Sequence, residues 1–291
     1  MIQQITYDIS TLVPYVNWIY FYYAWGVGNQ GSMEREKLRQ EADQRLSYLD
    51  SKYHTHAVFG LFDANSDGDD VVVWREGKDH PDASMRIPFL RQQHPVGSEE
   101  LNLCLSDFLR PLSSGQTDTI GVFATTVDHA LETDTEDDPF SRMMAQTLAD
   151  RLAEATAERM HEEVRKHYWG YAPDEHLSMQ QLHAEAFQGI RPAIGYPSLP
   201  DTSINFIISD LIGMKDIGIR LTESGMMMPH ASVSGFMIAH PQARYFNLGK
   251  IGEDQLHDYS LRRGIPVELA RRFLASHLLF PIFNFQFSIR I

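Results

Sequence analysis

The stretch GIRPAIGYPSLPD, residues 189–201, places a single arginine among glycines and prolines. Arg191 is followed directly by Pro192, and Gly189 and Gly195 lie on either side as flexible joints. A guanidinium on such a stiff loop can bind a carboxylate or a phosphate through two parallel hydrogen bonds. A proline-rich connector with a solvated arginine explains the same residues, and this stretch alone favours the connector.

Two further motifs could carry chemistry, and the first is DANSDGDDVVVW, residues 63–74. It begins like a calcium-binding EF-hand loop, but its twelfth position is Trp74, where that loop needs a bidentate carboxylate. The flanking residues are typical of strands, so a hairpin turn is predicted and calcium binding is a minor alternative. The histidines show no H-E-x-x-H pattern or other ligand spacing, so no metal site is predicted.

The second motif, GVGNQG at residues 26–31, matches the glycine pattern of dinucleotide-binding folds and precedes a predicted helix. Asp63 even ends the next predicted strand. The preceding residues YFYYAW are not typical of a buried parallel strand, and strict alternation of strands and helices does not continue. A glycine turn is therefore favoured, and a Rossmann-type nucleotide enzyme is the less favoured alternative.

Composition limits the class of protein. The chain has 291 residues, 43% of them hydrophobic, and a net charge of −14, which argues against nucleic acid and anionic membrane surfaces as partners. The single cysteine, Cys104, excludes an intramolecular disulfide. The N-terminus lacks the pattern of a secretory signal, and the aromatic run 15–28 is too short and polar to span a bilayer, so it is expected in the core or a pocket wall. A cytoplasmic protein is predicted.

The elements that must position these residues come in clusters, which favours an α+β fold. The helix at 177–189 has a capping box of Ser178 and Gln181 and a stop at Gly189, so the Arg191 loop is predicted to begin where that helix ends. Asp201 is the predicted cap of the next helix. The predicted helices are 32–53, one from Pro139 to Gly170, 177–189, 201–214, 253–263 and 266–279. The predicted strands are 57–62, 70–74 and 119–126, with the turn 63–69 between the first two, and two strands within 231–251 around HPQA.

Several longer blocks resemble a known family, the C-terminal activation domain of cobalamin-dependent methionine synthase. The blocks are GLFDANSDGDDV (60–71), LRQQ (90–93), LADRLAEATAERMHEEVRKHYWGYAPDEHLS (148–178), QGIRPAIGYPSLP (188–200) and LTESGMMMPHASVSGFMIAHPQARYF (221–246). The resemblance extends from about residue 14 onward. It implies a single C-shaped α+β domain over residues 1–291, with a twisted antiparallel sheet and flanking helices.

The resemblance also implies a function in methionine biosynthesis. Members of this family bind S-adenosylmethionine (AdoMet) and support reductive methylation of cob(II)alamin, with an electron from a flavodoxin-type donor. By position in the blocks, the AdoMet site comprises Glu154, Arg191, Ala193, Gly195, Tyr196 and Tyr245. The resemblance makes Glu185 a supporting carboxylate and places Asp150 against the displaced cobalamin-ligand histidine of a companion domain.

One position departs from the family pattern. The family has Val-Asp-Trp near its N-terminus, with the aspartate close to the positive end of AdoMet, whereas this chain has Val16-Asn17-Trp18. Cobalamin-binding, zinc-binding and folate-binding motifs are not found in the sequence. The chain is therefore predicted to be a reactivation module that acts on cobalamin carried by a separate methionine synthase or other cobalamin protein, with no catalytic residue of its own assigned. The alternative is a non-catalytic partner or chaperone of a cobalamin protein that has lost the use of AdoMet.

Overall fold

An antiparallel sheet forms the centre of the protein in the computed structural model, which describes residues 2–28, 31–77, 79, 84–94, 102–135 and 138–279. The sheet follows the order β4-β3-β2-β5-β8, and β1 pairs with the first half of β2 on the edge that β3 occupies along the second half. Its strands are β1 (Ile2–Asp8), β2 (His54–Asp67), β3 (Asp70–Trp74), β4 (Ser84–Pro88), β5 (Asp118–Val127) and β8 (Ser232–Met237). A separate small hairpin consists of β6 (Arg220–Leu221) and β7 (Met227–Met228).

Helices cover both faces of this sheet. Those in the described residues are α1 (Ile9–Leu12), α2 (Trp18–Ala24), α3 (Ser32–Asp50), α4 (Pro139–Glu163), α5 (Met179–His183), α6 (Ile204–Ile212), α7 (Glu253–Arg263) and α8 (Val267–Phe273). Alternate residues of β2 face opposite ways, so Ala57 and Phe59 pack towards α3 and α4, while Val58 and Ala64 pack towards α6. Because both faces are covered, the middle of this strand, residues 57–62, is apolar without a break. The predicted α+β fold, with an antiparallel sheet and flanking helices, is confirmed.

The longest helix, α4, matches its sequence signals closely. Asp138 caps it by accepting a hydrogen bond from the Ser141 backbone, and Pro139 is its first residue. Its predicted apolar positions, Met144, Leu148, Leu152, Ala155, Met160 and Val164, are all buried. The helix continues into a π-helical turn, Val164–Tyr168, and Gly170 follows with φ of 72°. The predicted helix stop at Gly170 is confirmed, because the helix ends directly before it and its left-handed backbone conformation favours glycine.

The helix predicted at 177–189 is much shorter than expected. The capping box of Ser178 and Gln181 is present, but α5 ends at His183, and Gly189 does not terminate a helix. Glu185 has φ of 55°, the sole positive value at a non-glycine residue in the described ranges. Phe187 then packs edge-on against His161 at 5.0 Å between ring centroids. This tertiary contact replaces the further helical turns that local propensity favours.

Other boundaries also differ from the prediction. The helix predicted at 266–279 ends at Phe273. The β2–β3 turn is only residues 68–69, because the strand pairing continues through Asp67 to Asp70. Helix α6 starts at Ile204 with Ser203 at its N-cap position, two residues later than predicted. The buried carboxylate of Asp201 accepts from the Ser203 amide at 2.8 Å, in the turn that leads into the helix, and from the Tyr259 hydroxyl at 2.7 Å. The second strand predicted within 231–251 does not form, because the free edge of β8 is already paired with residues 190–194.

The segment before GVGNQG excludes a dinucleotide fold. Residues 18–24 form the helix α2 and not a strand, and the central sheet is antiparallel throughout its described strands. Residues 29 and 30 of the motif lie outside the described ranges. The Rossmann-type alternative is therefore wrong, since that site needs a parallel strand directly before the glycines. Among the described residues, none of the helices has the length and apolar character needed to cross a membrane.

Candidate functional site

The Arg191 loop is fixed to the sheet and is not a free connector. Its backbone runs along β8 as a short antiparallel extension: Ile190 exchanges two hydrogen bonds with Ile238, at 2.9 and 3.0 Å, and the Phe236 amide donates to the Pro192 carbonyl at 3.0 Å. The ideal Cβ position of Gly235 lies 2.1 Å from that carbonyl oxygen. Only a residue without a side chain permits this approach, so Gly235 allows the loop to lie against the strand.

The side chain of Arg191 is buried under this loop. Its residue is 8% exposed, its guanidinium carbon lies 5.6 Å from the centre of the Phe123 ring, and its Nη2 pairs with Oε1 of Glu158 on α4. Burial opposes the charge of Arg191, but Glu158 and Tyr245 together raise the pKa of the guanidinium. The solvated-arginine interpretation is therefore excluded, because this cation is buried and paired.

Arg191 is part of the wall of a cleft of about 770 Å³. This volume is in the range of small-molecule sites. Four segments line it: the N-terminal residues 15–24, one face of α4, residues 183–198 and residues 245–247. The cleft brings together these predicted site residues: Asn17, Asp150, Glu154, Glu185, Arg191, Ala193, Tyr196 and Tyr245.

Helix α4 supplies a column of carboxylates to the cleft. Asp150, Glu154 and Glu158 follow one another at intervals of four residues, so they lie on one face, one turn apart. The Tyr196 hydroxyl donates to Oε1 of Glu154 at 3.0 Å and thereby connects the loop to the helix. Burial and Glu154 together raise the pKa of Tyr196 to about 12, so its hydroxyl keeps its proton and remains a donor.

The N-terminal wall is built around Asn17. Its side chain caps α2, with Oδ1 accepting from the Ile19 amide at 3.2 Å, and it lies on the cleft lining with Tyr15 and Tyr20. His183 Nε2 lies 3.0 Å from the Tyr15 carbonyl oxygen, which joins the end of α5 to this wall. The aromatic run is therefore a pocket wall in part, as predicted, while Phe21 on the other face of α2 belongs to the core.

Glu185, residues 191–193, Tyr196 and Tyr245 also line the cleft. The left-handed backbone at Glu185 is energetically costly for a residue with a side chain, and such strain accumulates at functional sites. The Tyr245 hydroxyl accepts from the Arg191 amide at 2.9 Å, and burial raises its pKa to about 12. Gly195 does not itself line the cleft; it lies at the adjacent turn with φ of 87°, a conformation that allows Tyr196 to turn back towards α4.

The electrostatics of the cleft favour a ligand with positive charge. Four carboxylates line it, Asp150, Glu154, Glu158 and Glu185, against two arginines, Arg151 and Arg191. Burial raises the pKa of Asp150, and burial followed by the nearby Glu158 raises the pKa of Glu185, although both residues are exposed as a whole. A nearby cation would therefore stabilise the ionised form of both carboxyl groups, while the Arg191 guanidinium can bind one anionic group.

Several lining residues were missed by sequence reasoning. They include Thr147, Arg151, Glu158, His183 and Asn247, whereas Tyr15 and Tyr20 belong to the aromatic run that was expected in the core or a pocket wall. Glu158 had one available signal, since it follows Glu154 by four residues on the polar face of a helix. That spacing is common on solvated helix faces and does not by itself indicate a site. No signal was available for His183, whose contact with the Tyr15 carbonyl joins residues 168 positions apart in the chain.

The calcium-like motif has no ligand geometry in the structure. Residues 63–67 are part of β2 and pair with β3, so alternate side chains point to opposite faces of the sheet. In the described ranges, no group of three or more histidine, cysteine, aspartate or glutamate side chains could hold a metal ion. Cys104 is buried, and burial raises the pKa of its thiol to about 12, so it is not a reactive thiolate.

Comparisons with known proteins agree with this architecture. The family described as vitamin B12 dependent methionine synthase, activation domain, matches residues 8–264. The backbone is similar to a crystal structure of the MetH reactivation domain bound to AdoHcy, with a TM-score of 0.89 and 37% sequence identity. That match covers 96% of this chain and 91% of the other. The family match thus includes strands β2–β5 and β8 of the sheet, α4 and every residue that lines the cleft.

Proposed function

The chain belongs to the activation-domain family of vitamin B12-dependent methionine synthase, and from this premise we propose that its cleft binds AdoMet for the reductive methylation of a cobalamin carried by a methionine synthase module. A flavodoxin-type donor is the proposed source of the electron. After reduction of the cobalamin to its Co(I) form, the methyl group of AdoMet would be transferred to it, and S-adenosylhomocysteine (AdoHcy) would be the second product.

The observation that carries this proposal is the composition of the cleft. AdoMet has a sulfonium, an ammonium, a carboxylate and an adenine, with a net charge of +1. The cleft combines an excess of carboxylates with one buried guanidinium and several tyrosines, which suits each of these groups. The solved relative of this fold is described as bound to AdoHcy, which has the same groups except the sulfonium charge.

Within this proposal each residue has a defined part. Arg191 binds the ligand carboxylate, while Glu154 and Tyr196 remain joined by their hydrogen bond and confine the nucleoside. Glu185, Tyr245 and Ala193 line the same wall, with Gly195 shaping the turn. Asp150 is the first of the three carboxylates along α4 and is the proposed contact for the cobalamin module.

The test is a calorimetric titration of the protein with AdoMet and with AdoHcy, followed by a reactivation assay with a cobalamin-loaded methionine synthase module and reduced flavodoxin. We expect binding of both ligands and recovery of methylcobalamin only when AdoMet is present. If neither ligand binds while the cobalamin module does, the non-catalytic partner is the correct function.

Changing Asn17 to aspartate is expected to increase the affinity for AdoMet by about ten- to thirtyfold. The reason is the attraction between the new carboxylate and the positive end of AdoMet. Two unit charges about 4 Å apart attract by about 4 kcal/mol at an effective dielectric constant near 20, and the desolvation cost of the carboxylate is subtracted from this energy. Aspartate caps a helix as well as asparagine does, so α2 keeps its start and the stability is unchanged. The measurement is the dissociation constant of AdoMet and of AdoHcy for both proteins.

The gain for AdoHcy is expected to be smaller, because its sulfur is neutral. Asn247, which also lines the cleft, provides a matched control, since Asn247→Asp adds the same charge at a different place. An equal gain for both ligands in the Asn17 variant would show that residue 17 does not face the sulfonium.

A further inference from the structure

One side of α4 and its π-helical extension carries three polar side chains, Glu158 on the cleft wall and His161 and Arg165 in the buried interior. They follow one another at intervals of three and four residues and therefore lie on one face. His161 and Arg165 are 0% exposed, and the Glu158 side chain is 19% exposed at the border with the cleft. Burial of polar or charged groups is costly unless they are hydrogen-bonded or paired with an opposite charge.

Arg165 is already neutralised within this group. Its guanidinium donates to both carboxylate oxygens of Glu175, with its shortest contacts at 2.9 Å from Nε and 2.6 Å from Nη2, and it lies 4.3 Å from the centre of the Phe187 ring. His161 packs against the same ring. Burial, Arg165 and Arg191 all lower the pKa of His161, so this imidazole is neutral and adds no charge. Glu158 is therefore left as the counter-ion of Arg191.

The contact between Glu158 and Arg191 uses one atom of each group. Nη2 pairs with Oε1, whereas Arg191 Nε and Glu158 Oε2 have no partner among the described residues. A guanidinium has five N–H donors, so a single contact with Glu158 leaves donors for another acceptor. The pair thus fixes the orientation of Arg191 without using all of its capacity for hydrogen bonds.

We propose that Glu158 is a positioning residue, which holds the Arg191 guanidinium at the cleft wall so that it binds the carboxylate of the ligand without further ordering. This inference rests on the proposed AdoMet-binding function. A cation whose orientation is fixed before binding loses less side-chain entropy when the ligand arrives. Glu158 thereby favours ligands that have an amino-acid group over nucleosides that lack one.

The test is the variant Glu158→Gln, titrated with AdoHcy and with 5′-methylthioadenosine, which keeps the nucleoside and the thioether but has no amino-acid carboxylate. We expect AdoHcy to bind about tenfold more weakly and methylthioadenosine to bind as it does to the unchanged protein. The matched control is Glu163→Gln, because Glu163 pairs with Arg159 on the same helix and does not line the cleft. If Glu158→Gln does not fold, Glu158→Asp replaces it, with a smaller loss in the same direction.

A double-mutant cycle with Arg191→Gln separates positioning from direct contact. If Glu158 acts through Arg191, its replacement causes no further loss in the Arg191→Gln protein. A further loss there, or equal losses for AdoHcy and methylthioadenosine, would overturn the inference and leave the AdoMet site in place. Failure of the unchanged protein to bind AdoMet or AdoHcy would instead overturn the proposed function, and the positioning role with it.

Discussion

Replacement of Arg191 by glutamine is expected to weaken AdoMet binding by about ten- to a hundredfold, the effect of removing a hydrogen-bonded charge from a carboxylate. The same change is expected to lower the free energy of unfolding by about 3 kcal/mol, because it leaves Glu158 without its counter-ion in a largely buried place. Two effects are therefore expected from this one change, weaker ligand binding in the cleft and weaker packing of the loop. The measurements are calorimetric titration with AdoMet and denaturant unfolding of the same protein.

The control for this variant is Arg159→Gln. Arg159 lies on α4 and pairs with Glu163 at 3.1 Å, but its side chain is 27% exposed and does not line the cleft. Its replacement is expected to change AdoMet affinity by less than a factor of two and stability by less than about 1 kcal/mol. A second variant, Arg191→Lys, keeps the positive charge but loses the planar guanidinium with its parallel N–H donors. Its affinity for AdoMet is therefore expected to lie between those of the unchanged protein and Arg191→Gln. A folded Arg191→Gln protein with unchanged AdoMet affinity would contradict the assignment of this residue.

The second large effect is expected from Gly235→Ala in β8. An ideal Cβ at this residue lies 2.1 Å from the Pro192 carbonyl oxygen and 2.9 Å from Cα of Ala193, so the methyl group cannot be accommodated without moving the Arg191 loop. The hydrogen bonds from Phe236 to Pro192 and from Ile194 to Ser234 are then lost or lengthened. We expect the free energy of unfolding to fall by about 3 kcal/mol and AdoMet binding to be lost, since Arg191 moves with the loop.

Gly31→Ala is the matched control for this change. Gly31 has an ordinary φ of −61°, precedes α3, and its nearest neighbour to an added Cβ is 3.9 Å away. Its replacement is expected to cost less than about 1 kcal/mol, the difference between glycine and alanine at a helix cap. Hydrogen exchange of the Phe236 and Ile194 amides would locate the damage. Full protection of both amides in Gly235→Ala would show that the loop tolerates the methyl group.

Local sequence signals determined the elements whose stability depends on neighbours along the chain. Asp138 and Pro139 specify the start of α4, its apolar positions specify the buried face, and the apolar runs at 57–62 and 119–126 specify the two central strands. Each of these signals acts within a few residues, which is why it can be interpreted without tertiary contacts. The longer blocks that resemble the activation-domain family carried the prediction further, to the fold and to most of the cleft.

Tertiary structure alone decided how the Arg191 loop, α5 and the strand after HPQA are arranged. Whether residues 244–250 form a strand depends on whether the edge of β8 is free, and that edge is taken by residues 190–194. The early end of α5 depends on the packing of Phe187 against His161, 26 positions away in the sequence. Glu158 and Arg191 are 33 positions apart, and their pairing follows from where the sheet places the loop over α4.

The sequence by itself determined the local helices and strands, the net negative charge and the presence of an arginine on a stiff loop. Only the tertiary structure decided that this arginine is a buried cation. The reason is that residues 190–194 pair with the edge of β8, which places the Arg191 guanidinium against Glu158 on α4.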